Sequence, residues 1–460
     1  MGAFMRIFGR LVLGCLFSLI LVLPSLAQTP GIDGFGAGGG FDGQRWSSSF
    51  LPNGGVALSQ SQGFSLGSPL NLTWGFAADG DTFIPNFGQG QGANSNLIAR
   101  LDQIYGTSGG SDLTQRSWFS NFHSVFDRWS SISGLTFIYE ANDDGADFSN
   151  SNSSATQGVW GTRADVRIGG RPIDGNSGVL AFNFFPNVGD MVIDTNDNFF
   201  NNTTNNSIRL RNVLSHEIGH GIGMQHLFTS QSDVNALMNP FINTTFDGPQ
   251  YHDILIAQRA YGDALEKGAG NDTFGNATSL GLIADGDNVS IGDSARTFAV
   301  TADNTDFISI DGQSDIDFFS FSISTAGSVN ILLEALGFSY LTQPQGTGGG
   351  PTGNNVLFNT AERSDLALAL FDTDGTTLLA LEDANGLGGS EAINDFFLAD
   401  AGTYFVRVTG LDNPDSTTIK TQFYGLSIGF TAIPEPSFGG LLMFGAALTL
   451  LRRRRECQKH

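Results

Sequence analysis

The chain has 460 residues, 40% of them hydrophobic and only 15% charged, with 61 glycines and a formal net charge of -23. That length allows two or three domains with cores of their own, and the composition favours strands and loops over a helical bundle. The acidity excludes nucleic acid and anionic lipid as partners, and with cysteine only at Cys15 and Cys457 the body of the chain has neither disulfides nor thiolate metal ligands.

Residues 1–27 read as a signal peptide. Arg6 and Arg10 make a basic start, residues 11–23 an apolar stretch, and Pro24, Ser25, Leu26 and Ala27 the small residues of a cleavage site. Cleavage by signal peptidase would leave Gln28 as the new N-terminus of an exported protein. Residues 28–69 are rich in Gly, Ser and Gln, and their lack of periodicity predicts a flexible lead-in. Residues 70–76 then read as a strand, and Leu97, Ile98, Leu101 and Ile104 have the spacing of a short helix. Trp118, Phe122, Val125 and Trp129 fall on one face of a longer helix that Gly134 ends. Further strands are expected at 135–139, 165–168 and 179–185. Mixed in this order, the elements predict an α+β domain over residues 70–265.

The chemistry concentrates in residues 212–226, which read Asn-Val-Leu-Ser-His-Glu-Ile-Gly-His-Gly-Ile-Gly-Met-Gln-His. His216 and His220 are four apart, so on a helix they project from one face and can share a Zn²⁺. Glu217 stands beside the first ligand, placed to act on a water without ligating the metal. Gly223 can adopt the left-handed conformation that ends the helix, and the turn brings His226 round as a third ligand. Three nitrogens leave a fourth position open, as catalytic zinc requires, whereas a structural site is closed by a fourth protein ligand. The expected reaction is hydrolysis of a peptide bond by zinc-activated water, with Glu217 as general base.

The extended motif resembles the metzincins, and residues 236–240, Ala-Leu-Met-Asn-Pro, resemble their Met-turn. Among metzincins the chain is most similar to the matrixins, over roughly residues 70–262. Residues 253–262 resemble the start of their last helix, residues 126–137 a helix-to-strand segment, and 165–168 with 180–182 the strands above the active site. The resemblance implies zinc on His216, His220 and His226, a catalytic Glu217, and structural roles for Gly223, Met238 and Pro240. It implies an edge strand at Val179, Leu180, Ala181 and Phe182 that pairs with an extended substrate, and calcium held by Asp174, Asp194 and Asp197. Matrixins carry a second, structural zinc on histidines, but the matching positions are Phe182 and Val192, so one zinc is expected here. The intact Glu217 argues against the alternative of a non-catalytic surface adhesion protein with a relic peptidase domain. The edge strand argues against a zinc hydrolase of a non-peptide bond.

Beyond Gly270 the texture changes to short strand candidates between Asp, Gly and Asn clusters, at 318–323, 329–335, 366–371, 377–381 and 404–408, with a glycine-rich loop at 343–354. This predicts an antiparallel β-sandwich over 270–430. Residues 271–274, 315–319, 365–375 and 401–404 resemble the bacterial pre-peptidase C-terminal domain, which implies a role in substrate or surface binding. Asp315, Asp317, Asp372 and Asp374 read as turn and rim residues rather than calcium ligands. At the end, Pro434-Glu435-Pro436, an apolar run at 438–451 and four arginines resemble the PEP-CTERM sorting signal. That implies an exosortase-type sorting enzyme as partner, a C-terminal membrane segment, and a destination at the bacterial surface, outer envelope or exterior.

Overall fold

The computed structural model describes residues 45–46, 52–53, 56–57, 66–107, 110–150, 158–229, 235–343, 355–412 and 420–433. The expected signal peptide, most of the lead-in, most of the glycine-rich loop at 343–354 and the C-terminal sorting segment lie outside the described residues. Among the described residues no helix is long and apolar enough to cross a membrane.

The first half is built on a five-stranded sheet. Its strands are β1 (Leu70–Phe76), β2 (Leu135–Tyr139), β3 (Val166–Arg171), β4 (Ala181–Asn183) and β5 (Met191–Asp194). The spatial order is β2-β1-β3-β5-β4, parallel except for the last pair, so β4 is an antiparallel edge. Two helices, α1 (Leu97–Tyr105) and α2 (Phe119–Ser131), precede β2. The predicted apolar stripe of α2 packs on β1. Trp74 stacks on Phe126 with ring centroids 4.3 Å apart, and Phe76 meets Trp118 and Phe122 edge-on at 5.1 and 4.9 Å. A strand so covered reads as a near-continuous apolar run, and β1 has only Asn71 exposed.

Two more helices complete this half: α3 (Thr204–Gly221) and α4 (Tyr251–Tyr261). Asn205, Asn206 and Ser207 hold left-handed φ angles of 52–56°, so the right-handed part of α3 begins at Ile208. Gly134, read from sequence as the end of α2, has a second reason to be glycine. A Cβ there would lie 1.9 Å from the carbonyl oxygen of Tyr261 at the end of α4.

The second half holds two five-stranded sheets around a shared core that includes Phe319, Ile331, Leu368, Val406 and Ile428. The strands of the first sheet are β7 (Thr278–Leu282), β10 (Ile316–Ile323), β17 (Gly402–Asp412), β14 (Ser364–Phe371) and β15 (Leu378–Glu382), in that spatial order. The second runs β8 (Asn288–Ile291), β18 (Gln422–Ala432), β11 (Gly327–Leu336) and β16 (Ser390–Leu398), with β9 (Ser309–Ile310) also on β18. The pairings are antiparallel except for β7 with β10, which is parallel and bulged at Ser279/Gly281, a departure from the expected all-antiparallel arrangement.

The halves share a core. β6 (Phe228–Thr229), two residues after His226, pairs with β12 (Ser339–Gln343), whose other neighbour is β13 (Val356–Asn359). Tyr251 of α4 packs within 5.1–5.4 Å of the rings of Phe298, Phe338 and Phe423. His252, in the first turn of α4, is fully buried against Phe358 and bonded to the Tyr340 hydroxyl. The lead-in expectation also fails at Arg45 and Trp46. Trp46 is 4% exposed, its indole N–H donates to the Gly221 carbonyl at 2.7 Å, and its backbone N–H donates to the Tyr261 hydroxyl. A single tryptophan in a polar stretch has no period to betray it.

Candidate active site and metal centre

α3 carries His216, Glu217 and His220 on its buried side, and every residue from Asn212 to Gly221 is buried. Gly223, with φ 111°, turns the chain back, and His226 returns to the same point. The Nε2 atoms of His216 and His226 stand 3.3 Å apart, and those of His220 and His226 3.2 Å. A tetrahedral zinc with Zn–N bonds of about 2.0–2.1 Å sets its nitrogens about 3.3–3.4 Å from one another.

The far side of each ring fixes which nitrogen is bare. His216 Nδ1 lies 2.7 Å from the Leu237 carbonyl and His220 Nδ1 2.7 Å from the Met224 carbonyl. A carbonyl can only accept, so each Nδ1 carries the proton and each Nε2 presents a lone pair. A shared cation satisfies these converging lone pairs at once. Burial holds the His216 imidazole down to about 4, and burial with the neighbouring rings holds His220 and His226 well below the usual histidine range. The rings are therefore neutral and ready to ligate at neutral pH. The residues present fit zinc.

Glu217 is fully buried, neither carboxylate oxygen has a hydrogen-bond partner, and burial pushes its carboxyl well above the usual range. An unpartnered buried carboxylate is costly, and this one stands next to His216 on the buried side of α3.

The Met-turn lies directly beneath. Met238 is fully buried, and a Cβ on Gly219 would stand 2.3 Å from its sulfur, so glycine between the two ligands leaves room for the thioether. Pro240 is buried beside it. Asp253, at the start of α4, accepts the backbone N–H groups of Leu237, Met238 and Gln250. It thus holds the turn whose carbonyl orients His216. Burial, against these hydrogen bonds, raises Asp253 to about 6.

Val179, Leu180, Ala181 and Phe182 lie at and before the edge strand β4, which is shorter than the expected 179–185. Asn183 ends the strand and its side chain donates to the Glu217 carbonyl at 2.6 Å, which fixes the edge against α3. Phe182 pairs across with Val192 in a small apolar cluster with Ala77, Ile84 and Phe148.

The calcium candidates are Asp174, Asp194 and Asp197. The three are neighbours, but their oxygens accept backbone N–H groups from Val179, from Ile173, Gly175 and Asn196, and from Ser177 and Phe199 respectively. Among the described residues their carboxylate oxygens do not all lie within 4.8 Å of one another, whereas one nitrogen from each of the three histidines does. Asn183, Gly219, Leu237, Met224 and Asp253 are the contributors that sequence reasoning missed. Asp253, two residues after the helix start and within the matrixin-like stretch, was the one with a visible signal.

Residues 103–262 match the Matrixin family of peptidases. The match encloses all three histidines, Glu217, the Met-turn and α4, but begins after β1. The chain is also similar to karilysin of Tannerella forsythia, 32% identical over 157 residues, which cover 33% of this chain and 29% of karilysin. The chain thus spans less than a third of the length of that curated relative. Together these support a matrixin-like metallopeptidase. The crystal structure of the pre-peptidase C-terminal domain of collagenase from Bacillus anthracis is matched at 16% identity over 33% of this chain and 95% of that domain, with a TM-score of 0.18, too low to bear on the fold.

Proposed function

We propose that the chain is an exported zinc endopeptidase that hydrolyses peptide bonds of extracellular or surface proteins. The observation that carries this reading is the convergence of three neutral imidazoles, 3.2–3.3 Å apart where measured, beside a buried carboxylate with no partner. Zn²⁺ held there by His216, His220 and His226 would supply a Lewis acid that lowers the pKa of water from 15.7 to about 7 and polarises a carbonyl. Glu217 takes the proton from the attacking water and delivers it to the leaving amine. Its low-dielectric surroundings favour the neutral acid, so the donation step is assisted. The β4 edge offers backbone groups to an extended peptide, which is the pairing a sheet edge gives a strand-like ligand.

Export is supported by the basic, apolar and small-residue order of residues 1–27. The Pro-Glu-Pro, apolar and arginine order of the last residues supports exosortase-type sorting to the bacterial surface, with a C-terminal membrane segment. The two sheets of the second half form a β-sandwich in this reading, with a role in holding substrate or surface.

The test is to incubate the purified full chain with a mixed protein substrate and to map new termini by mass spectrometry. Cleavage that a chelator abolishes and zinc restores is the expected result. Bound zinc with an intact fold and no new termini would point instead to the non-catalytic adhesion reading.

A further inference from the structure

The end of α3 is where the chain turns from the second imidazole toward the third. A helix leaves its last four carbonyls without partners of their own, and in α3 these belong to Ile218, Gly219, His220 and Gly221. The first three are met locally, by the N–H groups of Ile222 at 2.8 Å, Met224 at 2.8 Å and Gly223 at 2.9 Å. The fourth is met from 175 residues away, by the indole N–H of Trp46 at 2.7 Å. The next carbonyl, that of Ile222, accepts from the Tyr261 hydroxyl at 2.9 Å, and that hydroxyl accepts the Trp46 backbone N–H at 3.2 Å. Trp46 thus holds two successive carbonyls between His220 and His226, one directly and one through Tyr261.

A buried tryptophan usually finds some acceptor for its N–H, so that bond alone would be ordinary packing. A second contact makes the seat specific. A Cβ on Gly189 would stand 2.3 Å from the Trp46 Cζ2, so the indole fills the space that glycine leaves open in the turn between β4 and β5. In that turn the N–H groups of Val188 and Gly189 both donate to the Phe185 carbonyl. The Phe185 ring meets His220 edge-on, with centroids 5.8 Å apart. The indole is therefore wedged between the end of α3 and the turn that carries Phe185, and both contacts lead to His220. Arg45 anchors the same stretch. Its guanidinium donates to the Ser68 carbonyl at 2.9 Å and lies 4.8 Å over the Tyr261 ring.

We propose that Trp46 is a positioning residue for the zinc centre, and that the chain ahead of β1 is part of the peptidase from Arg45 onward. The turn it holds sets two ligands at once. The Met224 carbonyl lies 2.7 Å from His220 Nδ1 and orients that ring, while Gly223 sends the chain back to His226. Without the indole, the Gly221 carbonyl loses its donor in a buried place, and the turn shifts to find another. His220 and His226 then no longer converge as they do now. N-terminal processing acquires a limit in the same way. A cut ahead of Arg45 leaves the centre whole, and a cut after Trp46 releases the indole from it.

The proposal rests on the zinc reading of the three histidines. Its test uses the full chain, with zinc affinity followed by competition against a chromophoric chelator, alongside Tm and kcat/KM. Trp46→Gly should weaken zinc binding about 10–100-fold, the effect of losing an outer support. Added indole should restore the affinity by refilling the cavity, whereas indene, the same shape without the N–H, should not. Trp46→Phe keeps a ring but no donor, should also weaken zinc, and carries the test if the glycine variant does not fold. Trp118→Phe is the control. Trp118 is as deeply buried and donates to Asp102 of α1 at 2.9 Å, so its variant should lower Tm and leave zinc affinity as it was. The zinc-loaded chain recovered from cells that produce it should begin at or before Arg45. Trp46 variants that hold zinc as the parent does, a loss that indene repairs as fully as indole, or an active zinc-loaded chain beginning after Trp46 would each overturn the proposal. A parent chain that takes up no zinc would instead overturn the reading of the three histidines.

Discussion

Glu217→Gln should lower kcat/KM for peptide hydrolysis by about 10²–10⁴-fold while the chain keeps its zinc and its fold. The side chain touches no ligand nitrogen and no hydrogen-bond donor, so an amide of the same shape disturbs nothing else. What it removes is a carboxylate beside the three imidazoles that can take a proton from water. Neutralising a fully buried carboxylate also relieves a desolvation cost, so thermal stability should hold or rise. Parallel assays of kcat/KM, bound zinc and Tm check this. A variant within about fivefold of the parent would be far below the contribution expected of a general base and would assign that proton transfer elsewhere.

Asp253→Ala is expected to cost about 3–5 kcal/mol of stability, because it strips the acceptor from three buried backbone N–H groups at once. Those groups belong to Leu237, Met238 and Gln250. The effect should not stop at stability. Leu237 supplies the carbonyl that orients His216, and loss of such an outer support usually weakens metal binding about 10–100-fold. Denaturant midpoints give the first quantity and competition against a chromophoric chelator the second. A destabilised variant with unchanged zinc affinity would mean that the Met-turn holds its place without Asp253.

The elements around the site were legible because their periods were clean. The α2 stripe at Trp118, Phe122, Val125 and Trp129 is buried as one face, and β1 and β2 span the expected residues. His216, Glu217 and His220 were legible because ligation from a helix demands that spacing. The strands β8, β16 and β18 were missed because Asn, Asp, Ser and Gly interrupt their alternation, and it is pairing across the sheet that makes them strands. Contacts between the halves were invisible for another reason. β6 meets β12 more than a hundred residues away, and His252 finds Tyr340 at a separation of 88. No local pattern encodes such pairings. Asp315 and Asp317 were read as turn and rim residues, and their burial removes them from the rim.

The pairing of β6 with β12 also ties the third imidazole to the second half, since Phe228 follows His226 by two residues. The second half thereby packs directly on the segment that carries the third imidazole.

The central claim is that His216, His220 and His226 hold one zinc with an open position. X-ray absorption at the zinc edge on the purified full chain tests it most directly. The account predicts one zinc per chain with three nitrogen neighbours at about 2.0–2.1 Å and one further light atom from solvent. A site with four protein ligands, or a chain that takes up no zinc, would contradict it.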